Sequence, residues 1–122
     1  MKILFICEYN ACRSQMAEGI ARHLLPKTAL IQSAGLYPGE VNQLTIEVMR
    51  EVGIDISSHQ SKQLKVIERD HFDAVIVLAK PAAREVRHLD ADHRFDWFYP
   101  DPVKTEGDSE MVKAVIRQVR DA

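Results

Sequence analysis

One short segment carries the residues that could form a reactive site. Residues 7–14 read Cys-Glu-Tyr-Asn-Ala-Cys-Arg-Ser and contain both cysteines of the chain. A cysteine thiolate is a strong nucleophile, and an arginine guanidinium forms two parallel hydrogen bonds to a tetrahedral oxyanion. The spacing Cys-x5-Arg-Ser therefore favours a loop in which Cys7 attacks an oxyanion that Arg13 binds.

The position of this segment, between an apolar run and a predicted helix, strengthens that interpretation. Five intervening residues can curl so that successive backbone N–H groups point at one anion, and the helix N-terminus adds partial positive charge. The same donors would stabilise a thiolate at Cys7; lowering a thiol pKa from about 8.5 to about 5 takes roughly 5 kcal/mol. Without this setting, Cys7 would be a buried strand-end cysteine and Arg13 a surface residue.

A second reactive group is predicted at Asp101, in the sequence Pro-Asp-Pro. One carboxylate can protonate a leaving oxygen and then accept a proton from the attacking water. Pro102 restricts the residue before it to extended conformations, which limits where that carboxylate points. Pro-Asp-Pro alone would be an ordinary turn, but beside the Cys7 segment it makes Asp101 the candidate general acid.

The elements that must position these groups alternate between strand and helix. Apolar runs predict strands at residues 2–6, 28–32, 73–79 and 94–98, and helical periodicity predicts helices at 14–25, 44–52, about 81–89 and beyond 102. This alternation predicts an α/β fold, one three-layer domain over residues 1–122, with a four-stranded parallel sheet between helices on both faces. Because parallel strands share one carboxyl edge, Cys7, Ser33 and Asp101 should converge. Phe95 and Trp97 are expected in the core.

Bulk composition argues against several functional classes. The chain has 122 residues, a net charge of −2 and 46% hydrophobic residues. No global basic field attracts nucleic acid or anionic lipid, and no apolar run approaches the roughly 20 residues that span a bilayer. We therefore expect a cytoplasmic monomer with neither a nucleic-acid nor a membrane partner. Two cysteines in one segment form no disulfide framework, and the five histidines lack ligand spacing, so neither a metal nor another cofactor is predicted.

Residues 7–19, CEYNACRSQMAEG, resemble the signature of the low-molecular-weight protein tyrosine phosphatase superfamily, which includes the thiol-dependent arsenate reductases. Ser-Ala-Gly at residues 33–35, residues 53–59 and Asp101-Pro102 follow in the family's order. The resemblance implies a four-stranded parallel sheet flanked by helices. It also implies roles for single residues: Cys7 as nucleophile, Arg13 as oxyanion clamp, Asp101 as general acid, Ser14 as hydrogen-bond partner of the thiolate, and Asn10, Ser33 and His59 as supports of the loop.

Three loop residues are less clearly placed by this resemblance. The phosphatases usually carry glycine just before the loop asparagine, where this chain has Tyr9 preceded by Glu8. We expect both side chains to face outward, at the rim of the oxyanion-binding loop that Ala11 and Cys12 complete. Cys12 is either a small buried residue or a redox partner that forms a reversible disulfide with Cys7.

Two activities remain open. Hydrolysis of phosphate monoesters through a phosphocysteine needs only Cys7, Arg13, Ser14 and Asp101, and it is the activity predicted from the residues. Arsenate reduction, the alternative, needs further thiols, which thioredoxin-coupled reductases carry after the third strand; residues 78–83 here hold no sulfur. It would require Cys12 or an outside donor such as glutathione, glutaredoxin, mycothiol or thioredoxin. An oxyanion-binding or redox-sensing module would have no need of Asp101.

Overall fold

The molecule is a parallel β-sheet with three α-helices, described by a computed structural model over residues 1–25, 27–66, 70–105 and 107–121. The strands are β1 (Lys2–Cys7), β2 (Leu30–Gly35), β3 (His71–Val77) and β4 (Asp90–Asp96); the α-helices are α1 (Arg13–Leu24), α2 (Gln43–Arg50) and α3 (Ser109–Asp121). The strand order is β2-β1-β3-β4, and all neighbours run parallel. The predicted α/β fold with its four-stranded parallel sheet is confirmed.

The order of the strands explains where a site should lie. From β1 the chain passes to β2 on one side and then crosses to β3 on the other side of β1. Ligands of open parallel sheets bind beyond the carboxyl ends of the strands at such a reversal. The segment that follows β1 is the one that begins with Cys7.

Apolar side chains fill both faces of the sheet. Leu4 and Ile6 of β1 are fully buried, as is Val75 of β3. A second cluster, which includes Met16, Met49 and Ile116, joins α1, α2 and α3. None of the helices in the described ranges combines the length and apolarity needed to cross a membrane.

The predicted α-helix at about 81–89 is wrong. The structure has a 3-10 helix, Lys80–Ala82, followed by turns up to residue 88. Val86 and Leu89 are nevertheless buried, with 2% and 1% of their surfaces exposed. Because isolated short helices gain little from their own hydrogen bonds, burial of these apolar side chains against the sheet decides the local structure.

The expected burial of Phe95 and Trp97 is also wrong, since 43% and 53% of their surfaces are exposed. Phe95 is in register with Ile76 and, through it, with Phe5, on the side of the sheet that α1 covers. However, α1 packs mainly on β1 and β2, and β4 is the edge strand. Strand alternation could not predict how far the helix layer extends over the sheet.

Candidate active site

The nucleophile loop, residues 7–14, is anchored through its carbonyl groups. The carbonyls of residues 8–11 all accept hydrogen bonds from other segments. Their donors are the backbone N–H groups of Tyr37, Gly39 and Asn42 at 2.8 to 3.2 Å, and the side chains of Gln15 and Ser61 at 3.0 and 2.7 Å. No described peptide bond is cis, and a trans peptide holds C=O and N–H in opposite directions. The N–H groups of residues 9–12 therefore face away from this scaffold, as an anion-binding loop requires.

Two residues permit the tight path of this loop. Asn10 has a φ of +50°, in the left-handed region that asparagine tolerates better than most residues. Gly35, at the end of β2, passes so close that a Cβ atom there would lie 2.7 Å from the Asn10 nitrogen and 2.9 Å from the Glu8 oxygen. A glycine is therefore required at residue 35 for the loop to keep its present course.

Cys7 is buried, with 2% of its surface exposed, and its sulfur lies 2.9 Å from the Ser14 hydroxyl oxygen. That oxygen accepts a hydrogen bond of 2.7 Å from Asn10 Nδ2. The Ser14 proton is consequently free to be donated to the sulfur, where it would stabilise negative charge. The contact predicted for Ser14 is present.

A chain of buried amides connects this hydroxyl to the loop support. Asn10 is fully buried, and its Oδ1 accepts from the Lys62 backbone N–H at 2.8 Å and from Gln15 Nε2 at 3.0 Å. Because the Lys62 N–H can only donate, the orientation of the Asn10 amide is fixed. Gln15 Oε1 in turn lies 3.0 Å from His59 Nδ1. The supporting contacts expected of Asn10 and His59 are thus observed, but they run through Gln15.

The sequence predicted a role for neither Gln15 nor Glu18. The Glu18 carboxylate is buried, accepts a 2.7 Å hydrogen bond from Ser33 Oγ, and lies 3.3 Å from His59 Nδ1. Burial lowers the pKa of His59, although the Glu18 charge opposes that shift. A neutral imidazole with its proton on Nδ1 suits two neighbouring acceptors. Gln15 and Glu18 stand three residues apart in a helix, a spacing equally typical of a solvated face, so the sequence held no signal for them.

Arg13 joins the two halves of the site. Only 4% of its side chain is exposed, and Nη1 donates to the Tyr99 carbonyl oxygen at 2.8 Å. Nη2 lies 3.5 Å from Glu8 Oε1 and 3.9 Å from Asp101 Oδ2. The guanidinium therefore sits between two carboxylates, which hold it at the mouth of the loop.

The outward orientation expected for Glu8 is not what the structure shows. Its side chain is 16% exposed, and its carboxylate is attracted to the Arg13 guanidinium, with which it pairs. Tyr9 does lie at the rim, where its ring is 6.5 Å from that of Tyr37, and the Lys104 ammonium lies 5.3 Å from its centre.

Asp101 lies across the cleft from Cys7, in the acid loop, residues 99–104. Its Oδ1 accepts from the Val103 N–H at 3.1 Å and so caps the 3-10 helix Pro102–Lys104, while Oδ2 faces Arg13. Cys7, Ala11, Arg13 and Asp101 line one cleft of about 300 Å³, called the reaction cleft below. The structure brings the three predicted catalytic residues together, although their chemical roles stay predictions.

Cys12 also lines this cleft. Only 3% of its surface is exposed, and burial raises the pKa of its thiol to about 12, against a smaller lowering by a hydrogen bond with Thr45. At neutral pH it is a thiol, which is a poor nucleophile. This favours the packing role of Cys12 over the redox role.

The model of one family, low molecular weight phosphotyrosine protein phosphatase, matches residues 2–122. The chain belongs to that family. It is 37% identical to an arsenate reductase from Shouchella clausii over 98% of this chain and 86% of that protein. It is also 36% identical to a glutaredoxin arsenate reductase from Synechocystis sp., over 98% and 91%. A solved structure, described as an arsenate reductase in the oxidised state, superimposes with a TM-score of 0.81 at 32% identity, covering 98% of this chain and 91% of its own.

Proposed function

We propose that this protein reduces arsenate, with Cys7 as the attacking sulfur and an external thiol as the second sulfur. The observation that carries the proposal is the loop itself: the carbonyls of residues 8–11 are all bonded to other segments, so the N–H groups of residues 9–12 face away from those segments and can donate to an oxyanion beside Cys7. Arg13 lines the same cleft. The similarity of the chain to proteins named arsenate reductase favours arsenate over other tetrahedral anions.

In the first step the Cys7 sulfur bonds to arsenic and displaces one oxygen as water. The loop N–H groups and Arg13 would hold the remaining oxygens, and the negative charge on them would be stabilised most as the sulfur approaches. The departing oxygen needs a proton, and Asp101, which lines the reaction cleft with Cys7 and lies 3.9 Å from Arg13, is placed to supply it.

The second step requires another sulfur, and this chain supplies none that is suited to it. The sequence contains only Cys7 and Cys12. Attack by Cys12 would need a thiolate, which burial disfavours strongly. We therefore place the second sulfur on a separate molecule.

The electrons balance with two donor thiols. The first donor sulfur attacks the Cys7 sulfur, the S–As bonding pair leaves with arsenic, and arsenic(V) becomes arsenic(III) as arsenite. Cys7 and the donor are joined in a disulfide, which has taken up the oxidation. A second donor thiol then reduces that disulfide, which regenerates Cys7 and gives an oxidised donor pair.

Phosphate monoester hydrolysis is the second candidate, favoured by the position of Asp101. A reaction through phosphocysteine needs a proton for the leaving alcohol and then a base for water, and one carboxylate at the cleft serves both steps. The description of the matching family also names a phosphatase activity.

The deciding experiment measures both activities on the same preparations. Arsenite release from arsenate, with glutathione and glutaredoxin present, is compared with hydrolysis of para-nitrophenyl phosphate for wild type, Cys7→Ser and Cys12→Ala. We expect arsenite from wild type and from Cys12→Ala, and none from Cys7→Ser. The two cysteine variants are matched, because each removes one thiol of the same loop.

Other results would replace this proposal. Hydrolysis of the aryl phosphate with no arsenite from any thiol, dithiothreitol included, would make the protein a phosphatase. Phosphate binding without either turnover would leave the oxyanion-binding module. Arsenite release that requires Cys12 would mean that the second sulfur is internal.

A further inference from the structure

A second cleft adjoins the reaction cleft. This outer cleft has a volume of about 380 Å³, which lies in the size range of small-molecule sites. Arg13, Asp101 and Lys104 line both clefts. A molecule in the outer cleft would therefore lie directly beside any oxyanion bound at Cys7.

Charged side chains of both signs line the outer cleft. Lys80 and Lys104 are exposed and line it, together with the carboxylate of Glu8. Within the described residues, no carboxylate pairs with the Lys80 ammonium. A hydrogen bond with Tyr9, followed by nearby negative charges, raises the pKa of Lys104, which keeps that ammonium charged.

The remaining walls are apolar and suit a peptide-like ligand. Pro81, Phe98 and Pro100 line the cleft, and 41% of the Phe98 surface is exposed. An exposed phenyl ring between prolines can cover the aliphatic parts of a ligand while the lysines meet its charged ends. Such a mixture fits a small flexible molecule with carboxylates at its ends.

We propose that the outer cleft binds the thiol donor, and that this donor is a small carboxylate-bearing thiol of the glutathione class. This inference rests on the proposed function, because it names the second sulfur that arsenate reduction requires. Glutathione carries two carboxylates and one ammonium, so it is a net anion. The cleft offers the two lysine ammonium groups and the Arg13 guanidinium against the two carboxylates of Glu8 and Asp101, so its positive groups are in excess. A sugar-linked thiol without carboxylates, such as mycothiol, would leave both lysines unused.

The bound donor would act in the step that forms its disulfide with Cys7. Its thiol loses a proton, and the resulting thiolate attacks the Cys7 sulfur while the S–As pair leaves with arsenite. The mixed disulfide is then reduced by a second glutathione, or by glutaredoxin acting on it. Lys80 makes no contact with Cys7 in this arrangement and serves only to position the donor.

The test compares three thiols that differ in charge. Initial rates of arsenite release are measured at subsaturating glutathione, 2-mercaptoethanol and cysteamine, which carry net negative, zero and positive charge. The variants are Lys80→Gln and Lys80→Glu, with Lys27→Glu as the matched control, because Lys27 is exposed and lines a different depression of the surface.

We expect Lys80→Gln to slow the glutathione reaction about threefold and Lys80→Glu about tenfold, as befits exposed charge pairs. The 2-mercaptoethanol rate should stay within about twofold, and Lys80→Glu should speed the cysteamine reaction about threefold. Lys27→Glu should change none of these rates. Equal slowing with all three thiols, or no change with glutathione, would overturn the proposed cleft.

A second measurement separates this proposal from the function on which it rests. Oxidised glutathione exchanges with the Cys7 thiolate to form the mixed disulfide and release one glutathione, and arsenate takes no part. Mass spectrometry of the intact chain follows this exchange, with cystamine as the cationic comparison. Suppose that wild type releases no arsenite but Lys80→Glu slows exchange with oxidised glutathione and not with cystamine. Arsenate reduction is then rejected, and the proposed thiol site is retained. If exchange is insensitive to Lys80 while arsenite is released, the site fails and the function stands.

Discussion

The nucleophile loop and the acid loop face each other across one cleft, but they are held in different ways. Residues 8–11 are anchored through every carbonyl, and Asn10 is fully buried within a chain of hydrogen bonds. The acid loop is held through the Arg13 bond to the Tyr99 carbonyl, the Tyr99 N–H bond to the Leu78 carbonyl and the Asp101 cap on Val103, and its residues Val103 and Lys104 are exposed.

This difference separates two requirements of the same reaction. The N–H groups that bind an oxyanion act only if their directions are set before the substrate arrives, so they need a rigid, dry support. The side of the cleft that supplies a proton and binds the thiol must admit molecules of different size, so it must be open to solvent. Changes in the first loop should therefore alter folding and binding together, whereas changes in the second should alter turnover alone.

The largest effect is expected from Asp101→Asn. The amide keeps the shape and can still cap Val103, but it cannot supply a proton, so arsenite release, and any turnover of aryl phosphate, should fall by roughly 10²–10⁴-fold. Phosphate binding, measured as competitive inhibition of thiol alkylation at Cys7, should remain. A rate within twofold of wild type would show that Asp101 is not the acid.

Asn10→Ala tests the other loop. The substitution leaves the Lys62 N–H without its acceptor and removes the hydrogen bonds of the Asn10 side chain to Gln15 and Ser14, which should lower the free energy of unfolding by about 2–4 kcal/mol and weaken phosphate binding. Urea denaturation gives the stability. The matched control is Asn42→Ala, which removes the side-chain cap of α2 and should cost about 1 kcal/mol. Equal losses of free energy of unfolding in the two variants would mean that the buried amide of Asn10 stabilises the fold no more than a helix cap does.

The exclusion of water from the nucleophile loop can be measured through the pKa of the Cys12 thiol. Burial raises the pKa of this thiol to about 12 in the folded chain, whereas an unfolded cysteine titrates near about 8.5. Above about pH 8.5 the unfolded chain loses the Cys12 proton that the folded chain retains. The free energy of unfolding therefore falls as pH rises, by about 2 kcal/mol at pH 10. Urea denaturation of wild type and Cys12→Ala at pH 7 and pH 10 isolates this contribution. Parallel losses would mean that Cys12 is solvated.

Glu8→Gln should give the smallest change. Its carboxylate competes with an oxyanion for Arg13, so removing the charge should tighten phosphate binding by about two- to tenfold. Glu40→Gln, an exposed carboxylate at the edge of the reaction cleft, is the control and should change binding less than about twofold. Weaker phosphate binding in Glu8→Gln would mean that the carboxylate serves mainly to orient Arg13.

Most of the fold could be predicted because its signals are local. Strand-helix alternation predicted a parallel sheet, and strands 2–6 and 73–79 were placed within two residues of β1 and β3. The element at 81–89 could not be predicted, because apolar spacing there reflects burial against the sheet, which turns satisfy as well as a helix does. The exposure of Trp97 likewise depends on how far α1 reaches across the sheet.

The sequence by itself determined which reactive groups come together, because a thiol, a guanidinium and a carboxylate that follow parallel strands lie at one edge of the sheet. Only the tertiary structure decided how these groups are supported. Gln15 and Glu18 have the residue types of a solvated helix face, and they become buried supports because residues 59–62 and β2 close over them. Glu8 faces inward for the same kind of reason. Packing places the Arg13 guanidinium that attracts it, and sequence periodicity contains no information about the distance between these two side chains.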